Sequence, residues 1–221
     1  ELEGAADRIC QDTGSEIHTV VADLTRAEDA KRFVEVGVEL IGGVDILINN
    51  IGGPPPGGFD DLDDAAWTEA NERLVMSVVR MVREAVPAMR ARGGGRIVNI
   101  TSIAVKQPIE GLLLSNAYRA AVVGLAKTLA AELAPDNILV NNVCPGRIAT
   151  DRLAQLDEDR ARRLGVTIEQ LRIDAQRGIP LGRYGQPQEL AALVAFLASS
   201  RASYITGATI PCDGGIFAGL M

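Results

Sequence analysis

Apolar residues along the chain fall into two alternating patterns. Short apolar runs bounded by turn residues recur at 17–22, 44–49, 96–101, 138–144 and 208–212, and runs of this length predict strands. Between them lie longer stretches at 2–11, 27–41, 64–92, 112–133, 151–176 and 187–199, where apolar residues return at helical spacing. The longest, 64–92, carries Leu74, Val75, Val78, Val82 and Val86 at that spacing. The stretch 112–133 places Ala117, Ala121, Gly124 and Leu125 on one side, small residues that admit another backbone. The stretch 151–176 is charged and broken by Gly165. Strands that alternate with helices predict an α/β fold, a doubly wound parallel sheet with helices on both faces. The length of 221 residues suits a single domain. There is no internal repeat, and the one loop rich in helix breakers, residues 52–58, follows the second strand directly.

Charge and composition narrow the function classes. Twenty-two basic against 29 acidic residues leave a net charge of −7, so neither nucleic acid nor an anionic membrane is an expected partner. No apolar stretch is long enough to cross a membrane, and Glu1-Leu2-Glu3-Gly4 has no signal-peptide character, so a cytoplasmic location is expected. Cys10, Cys144 and Cys212 are odd in number and far apart, which predicts buried, reduced thiols and no metal site. The only histidine, His18, lies in an alternating stretch and reads as a strand-face residue.

In open parallel sheets, ligands bind beyond the carboxyl ends of the strands. Four of these ends carry distinctive residues: Asp23-Leu24-Thr25, Asn49-Asn50-Ile51-Gly52, Thr101-Ser102, and the segment from Pro145 through Gly146, Arg147, Ile148 and Ala149 to Thr150. Taken singly, Asp23 reads as a helix cap, the asparagines as turn residues and Pro145-Gly146 as punctuation. Together, on one edge of one sheet, they mark a ligand site.

These segments, followed by Tyr204-Ile205-Thr206-Gly207 and Asp213-Gly214-Gly215, resemble the short-chain dehydrogenase/reductase family from Leu2 onward. The resemblance implies a Rossmann-like fold and an NAD(P)-dependent oxidoreductase acting on a small carbonyl or alcohol. NAD and NADP are not distinguished. It makes Asp23 and Leu24 an adenine contact, Asn50, Ile51 and Gly52 a backbone turn against the cofactor, and Pro145, Gly146, Ile148 and Thr150 the nicotinamide seat. The stretch Gln107-Pro108-Ile109 through Leu114-Ser115-Asn116 to Arg119 resembles a divergent 3-oxoacyl-carrier-protein reductase-like branch. Residues 151–182 take the place of a substrate lid and carry Arg152, Arg160, Arg162, Arg163, Arg172 and Arg177. They read either as an anion clamp or as a solvated charged helix. The family also implies a homo-oligomer, a tetramer or dimer, built on the helices at 64–92 and 112–133.

The family's catalytic set is an asparagine, a serine, and a tyrosine and lysine four residues apart. Ser102 matches the serine, whereas the tyrosine position holds Ser115, the lysine position Arg119 and the asparagine position Leu74. An alkanol hydroxyl is a far weaker acid than a phenol, and Arg119 keeps a positive charge for ribose hydroxyls but cannot pass on a proton. Two substitutes stand open: Tyr118, otherwise an ordinary packing residue, and Lys106, otherwise a solvated loop lysine.

The family's Gly-rich phosphate turn between its first strand and first helix has no counterpart. The glycine clusters at 42–43, 52–53, 57–58 and 93–95 adjoin other elements. The expectation is a domain that lacks its first βαβ unit, a fragment of a longer product. The strands at 17–22 and 44–49 would then either become neighbours or leave a gap between exposed edges. The leading reading is the oxidoreductase, with Ser102, Ser115 and Arg119 in the site. The alternative is a catalytically impaired binding or assembly subunit. A serine hydrolase using Ser102 or Ser115 lacks a histidine base.

Overall fold

A computed structural model describes residues 2–220. Four strands, β1 (Ile46–Asn49), β2 (Gly95–Ile100), β3 (Ile138–Pro145) and β4 (Thr209–Cys212), form one sheet in sequence order, with every pairing parallel. The helices are α1 (Leu2–Thr13), α2 (Ala27–Ile41), α3 (Asp64–Asn71), α4 (Ser77–Ala91), α5 (Leu113–Glu132), α6 (Asp151–Leu164), α7 (Ile168–Arg177) and α8 (Pro187–Ala198). This is the expected α/β fold, with helices on both faces of the sheet.

Strand alternation sorts the core into two layers. Leu47, Ile97, Ile138 and Val140 face one way and pack with Ala30 and Val34 of α2, Val78, Met81, Val82 and Ala85 of α4, and Val122 and Ala126 of α5. Val98 and Val143 face the other way, against Leu190, Leu193, Val194 and Leu197 of α8. Coverage of this second face is partial. In β1 the residues alternate between exposed and buried, and Ile46 remains half exposed.

The strand expected over 17–22 does not form. These residues lie outside the sheet and Val21 is 77% exposed. Strand propensity without a neighbouring ladder does not make a strand: the segment pairs with no other backbone, and its Val21 carbonyl accepts instead from Arg32 Nη2 at 2.7 Å. It does not become a neighbour of β1, which stands as an edge strand. His18 is consequently not a strand-face residue, and its Nε2 lies 3.1 Å from Glu16 Oε1. The thiols also differ from expectation. Cys144 is buried in β3, whereas Cys10 and Cys212 are half-buried, one on a helix that buries no residue and one at the end of the short β4.

Two helical stretches are subdivided. A π-helical turn, Glu72–Met76, separates α3 from α4, and Leu74 is buried in it. The stretch after 150 forms two helices, because Gly165 closes α6 in the left-handed region at φ 65°. Thr150 starts α6 by accepting a hydrogen bond from Leu153 N.

Candidate active site

Because the strands are parallel, their carboxyl ends share one edge, and the loops that follow them converge there. A cleft of about 840 Å³ opens at this edge between the sheet, α6 and α8. Asn50, Ile51, Gly52, Arg119, Pro145, Gly146, Ile148 and Thr150 all line it. The turn at Gly146 presses so closely on the chain at Asp213 that a β-carbon there would stand 2.7 Å from Asp213 Cα. Only glycine fits this approach, and the two segments are locked further by Gly146 N donating to Cys212 O at 3.0 Å.

Asp23 and Leu24 lie elsewhere. The Asp23 carboxylate accepts from Thr25 Oγ1 at 2.7 Å and Thr25 N at 3.0 Å, and the Thr25 bonds hold its pKa below the ordinary value. Leu24 packs against the core cluster to which α2 and α4 contribute. Neither lines the cleft.

Ser102 opens onto a second cavity of about 260 Å³, walled by Ile103, Ile109, Leu112, Leu153, Leu156 and Ile216, and lined also by charged side chains that include Glu110 and, from the lid, Arg160 and Arg163. Gly146, Leu153 and Leu156 border both spaces, so the cavity and the cleft adjoin along one side of α6. Ser102 Oγ accepts from Ala104 N at 3.1 Å, which leaves its O–H free to donate.

Arg119 rises from α5 and donates to the carbonyls of Ile100 at 3.0 Å and Ile51 at 3.4 Å. It ties the end of β2 to the loop after β1. Burial, and secondarily the neighbouring Arg152 charge, hold its pKa below the usual guanidinium value. Leu74 and Val78 stand beside it around a void of about 10 Å³. Ser115 is buried in the first turn of α5 and lines neither the cleft nor the Ser102 cavity. Tyr118 lies edge-on to Trp67, with ring centroids 5.7 Å apart. The Lys106 ammonium sits 6.0 Å from the Phe217 ring centroid. Cys144 lies behind the site with its thiol pKa raised by burial, its Sγ 3.2 Å from Thr101 Oγ1.

An ionic network that sequence reasoning passed over anchors α6. Asp157 is almost wholly buried. It accepts from Arg147 Nη1 at 2.7 Å and from the Tyr184 hydroxyl at 2.9 Å, and Arg172 approaches to 4.0 Å. In sequence, Asp157 is one acid in a run of arginines and acids and reads as solvated. Its sole signal is position, four residues after Leu153 and one after Leu156 on the inward face. Among the described residues, no helix is long and apolar enough to cross a membrane, and no group of acidic, cysteine or histidine side chains is arranged to hold a metal.

The arrangement has known relatives. A family model described as enoyl-(acyl carrier protein) reductase matches residues 1–217. The chain is 39% identical over 206 residues to dehydrogenase/reductase SDR family member 4 of Oryctolagus cuniculus, covering 93% of this chain and 76% of that protein. It is 34% identical over 215 residues to the 3-oxoacyl-[acyl-carrier-protein] reductase FabG of Aquifex aeolicus, covering 97% and 82%. The NADPH-bound structure of a short chain oxidoreductase from Pseudomonas aeruginosa PAO1, described as containing an atypical catalytic center, superposes with a TM-score of 0.88 at 29% identity, covering 99% of this chain and 83% of that one. The edge geometry and these matches together make the chain a member of the short-chain dehydrogenase/reductase family of oxidoreductases, in its 3-oxoacyl-carrier-protein reductase-like branch.

Proposed function

We propose that the chain interconverts a carbonyl and an alcohol using NAD or NADP. The observation that carries this reading is the adjacency of two spaces: a cleft of about 840 Å³ at the strand ends and a smaller, mostly apolar cavity lined by Ser102. The cleft suits a nicotinamide dinucleotide in its donor set. Ile48, Pro145, Ile148, Leu190 and Val194 offer an apolar bed for flat rings, while Arg119, Arg152 and Thr150 offer positive charge and hydroxyl for phosphates and sugars. The relative with an atypical catalytic center, bound to NADPH, is consistent with this use of a site that departs from the usual residues.

When bound, the dinucleotide supplies or accepts a hydride. Ser102 donates its free O–H to the substrate oxygen. Arg119, held by two carbonyls, presents its remaining N–H groups to the ribose and its positive charge to the developing alkoxide. Since Arg119 cannot release a proton and Ser115 lies outside both spaces, the alkoxide takes its proton from solvent through the cavity mouth. Residues 151–182 act as the lid, with Leu153 and Leu156 between the two spaces. Helices α4 and α5, with the apolar groove of Val79, Val82, Val86, Leu125 and Leu129 between them, form the surface of a homo-oligomer.

Titration with NADH and NADPH followed by a screen of small carbonyl compounds tests the reading. Cofactor binding with turnover bears it out, and absence of dinucleotide binding overturns it. One observation favours a second reading, a catalytically impaired binding or assembly subunit: the burial of Ser115 away from both spaces. Dinucleotide binding without turnover on any carbonyl would select that alternative.

A further inference from the structure

The protein carries a net charge of −7, yet among the described residues no aspartate or glutamate lines the cleft at the strand ends. The charged side chains that line it, among the described residues, are Arg119 and Arg152. Arg119 comes from α5, and Arg152 from the first turn of α6. Both reach the loop after β1 from different sides. A methyl group placed on Gly53 would stand 3.8 Å from Arg152 Nη2 and 4.0 Å from Arg119 Nη2, so one point in the cleft faces both guanidinium groups.

Neither group has an acidic partner among the described residues. Arg119 bonds only the Ile100 and Ile51 carbonyls, and Arg152 only the Pro54 carbonyl, at 3.2 Å. Asp151, the acid next to Arg152 in sequence, does not line the cleft. Two like charges facing one partly desolvated point repel each other and retain unused N–H donors. A bound anion relieves both conditions. Backbone at the start of α6 adds the partial positive charge of a helix N-terminus beside them.

We propose that Arg119 and Arg152 together form a binding site for a phosphoryl oxyanion, with Arg152 as the residue by which the lid helix grips it. The planar, forked donor groups of two arginines suit a phosphate, which presents oxygens in several directions. The site rests on the cofactor reading only for the source of the phosphate, which is either the dinucleotide or a phosphorylated substrate. Because Leu153 and Leu156 follow Arg152 on α6 and wall the Ser102 cavity, an anion held by Arg152 also fixes the helix that closes over that cavity.

The test is isothermal titration with inorganic pyrophosphate, nicotinamide mononucleotide and nicotinamide riboside, using wild type, Arg152→Gln and Arg152→Lys. The expected result is an affinity for pyrophosphate and the mononucleotide that falls on the order of tenfold in Arg152→Gln, is partly retained in Arg152→Lys, and weakens with salt in wild type. Riboside, which has no phosphate, should respond to neither change. Pyrophosphate competing with NADPH assigns the oxyanion to the dinucleotide, and simultaneous binding assigns it to the substrate. The proposal is overturned if Arg152→Gln binds pyrophosphate and mononucleotide as wild type does, or if wild-type affinity ignores salt. Arg152-dependent pyrophosphate binding by a protein that takes neither NADH nor NADPH would sink the cofactor reading and leave the anion site. Dinucleotide binding indifferent to Arg152 and salt would do the reverse. The salt series needs no variant, so it decides the matter even if a substitution unfolds the chain.

Discussion

Asn49 Nδ2 donates to Asn99 Oδ1 at 2.8 Å, directly across the β1–β2 pairing. The relationship continues through the sheet. Asn99 Nδ2 donates to Asn142 Oδ1 at 3.0 Å, and Asn142 Nδ2 to Thr209 Oγ1 at 3.1 Å, each between residues paired in register. A buried amide chain thus crosses all four strands close beneath the active-site edge. A one-residue slip in any strand would break it, so the chain holds the loops that carry Asn50, Ser102 and Gly146 at a common level.

Replacing Asn99 by leucine should cost about 1–3 kcal/mol, because it strands the Asn49 donor and the Asn142 acceptor in the interior. Chemical denaturation reads this directly. A midpoint equal to wild type would show that the amide chain contributes nothing to stability.

Asp157→Ala leaves Arg147 and the Tyr184 hydroxyl without their acceptor. Breaking a buried pair of this kind costs several kcal/mol, and since Arg147 remains partly exposed the loss here should be about 3 kcal/mol. The variant should also loosen α6 over the Ser102 cavity and raise KM more than it lowers kcat. Thermal melts and steady-state kinetics with a substrate found in the carbonyl screen check both parts.

Arg183 pairs with Glu189 through both guanidinium nitrogens, at 2.8 and 2.7 Å, at the start of α8. Its hydrogen bonds, with that from the Gln186 backbone, hold the Glu189 carboxyl at about 2 against an ordinary 4.5. A carboxylate with a depressed folded-state pKa stabilises the fold above its unfolded value, and that contribution disappears as pH falls through 4.5 toward about 2. Arg183→Gln should move Glu189 back up and flatten the stability profile in that window. Carboxyl NMR titration of Glu189 decides it, an unmoved titration being the contrary result.

Within the proposed reaction, Ser102→Ala should lower kcat by on the order of 10²-fold, as expected for loss of a hydrogen bond to a developing oxyanion. Tyr118→Phe and Lys106→Ala should stay near wild type, since one ring packs on Trp67 and the other side chain lies beside Phe217. Loss of turnover in either would place the proton donor there instead of in solvent.

Much of the site was legible before any fold was known. Residues 49–52, 101–102 and 145–150 each follow an apolar run, and a parallel sheet necessarily delivers such residues to one edge. The resemblance to the family placed Ser115 and Arg119 at its tyrosine and lysine positions, and helical spacing keeps the two on one face. What stayed hidden depends on distances between segments remote in sequence. Asp157 looks like any solvated acid until α6 packs inward, and Arg152 is one lid arginine among six until its guanidinium meets that of Arg119 over Gly53.

Local pattern determined the kind of most elements and the edge on which chemistry gathers, since periodicity and turn residues act within a few positions. Tertiary structure decided the rest. Residues 17–22 have the alternation of a strand and are none, because a strand exists only where another backbone receives its hydrogen bonds. The two arginines form one site for a related reason: electrostatic meaning belongs to charges that are close in space and poorly screened, and no spacing along the chain records that.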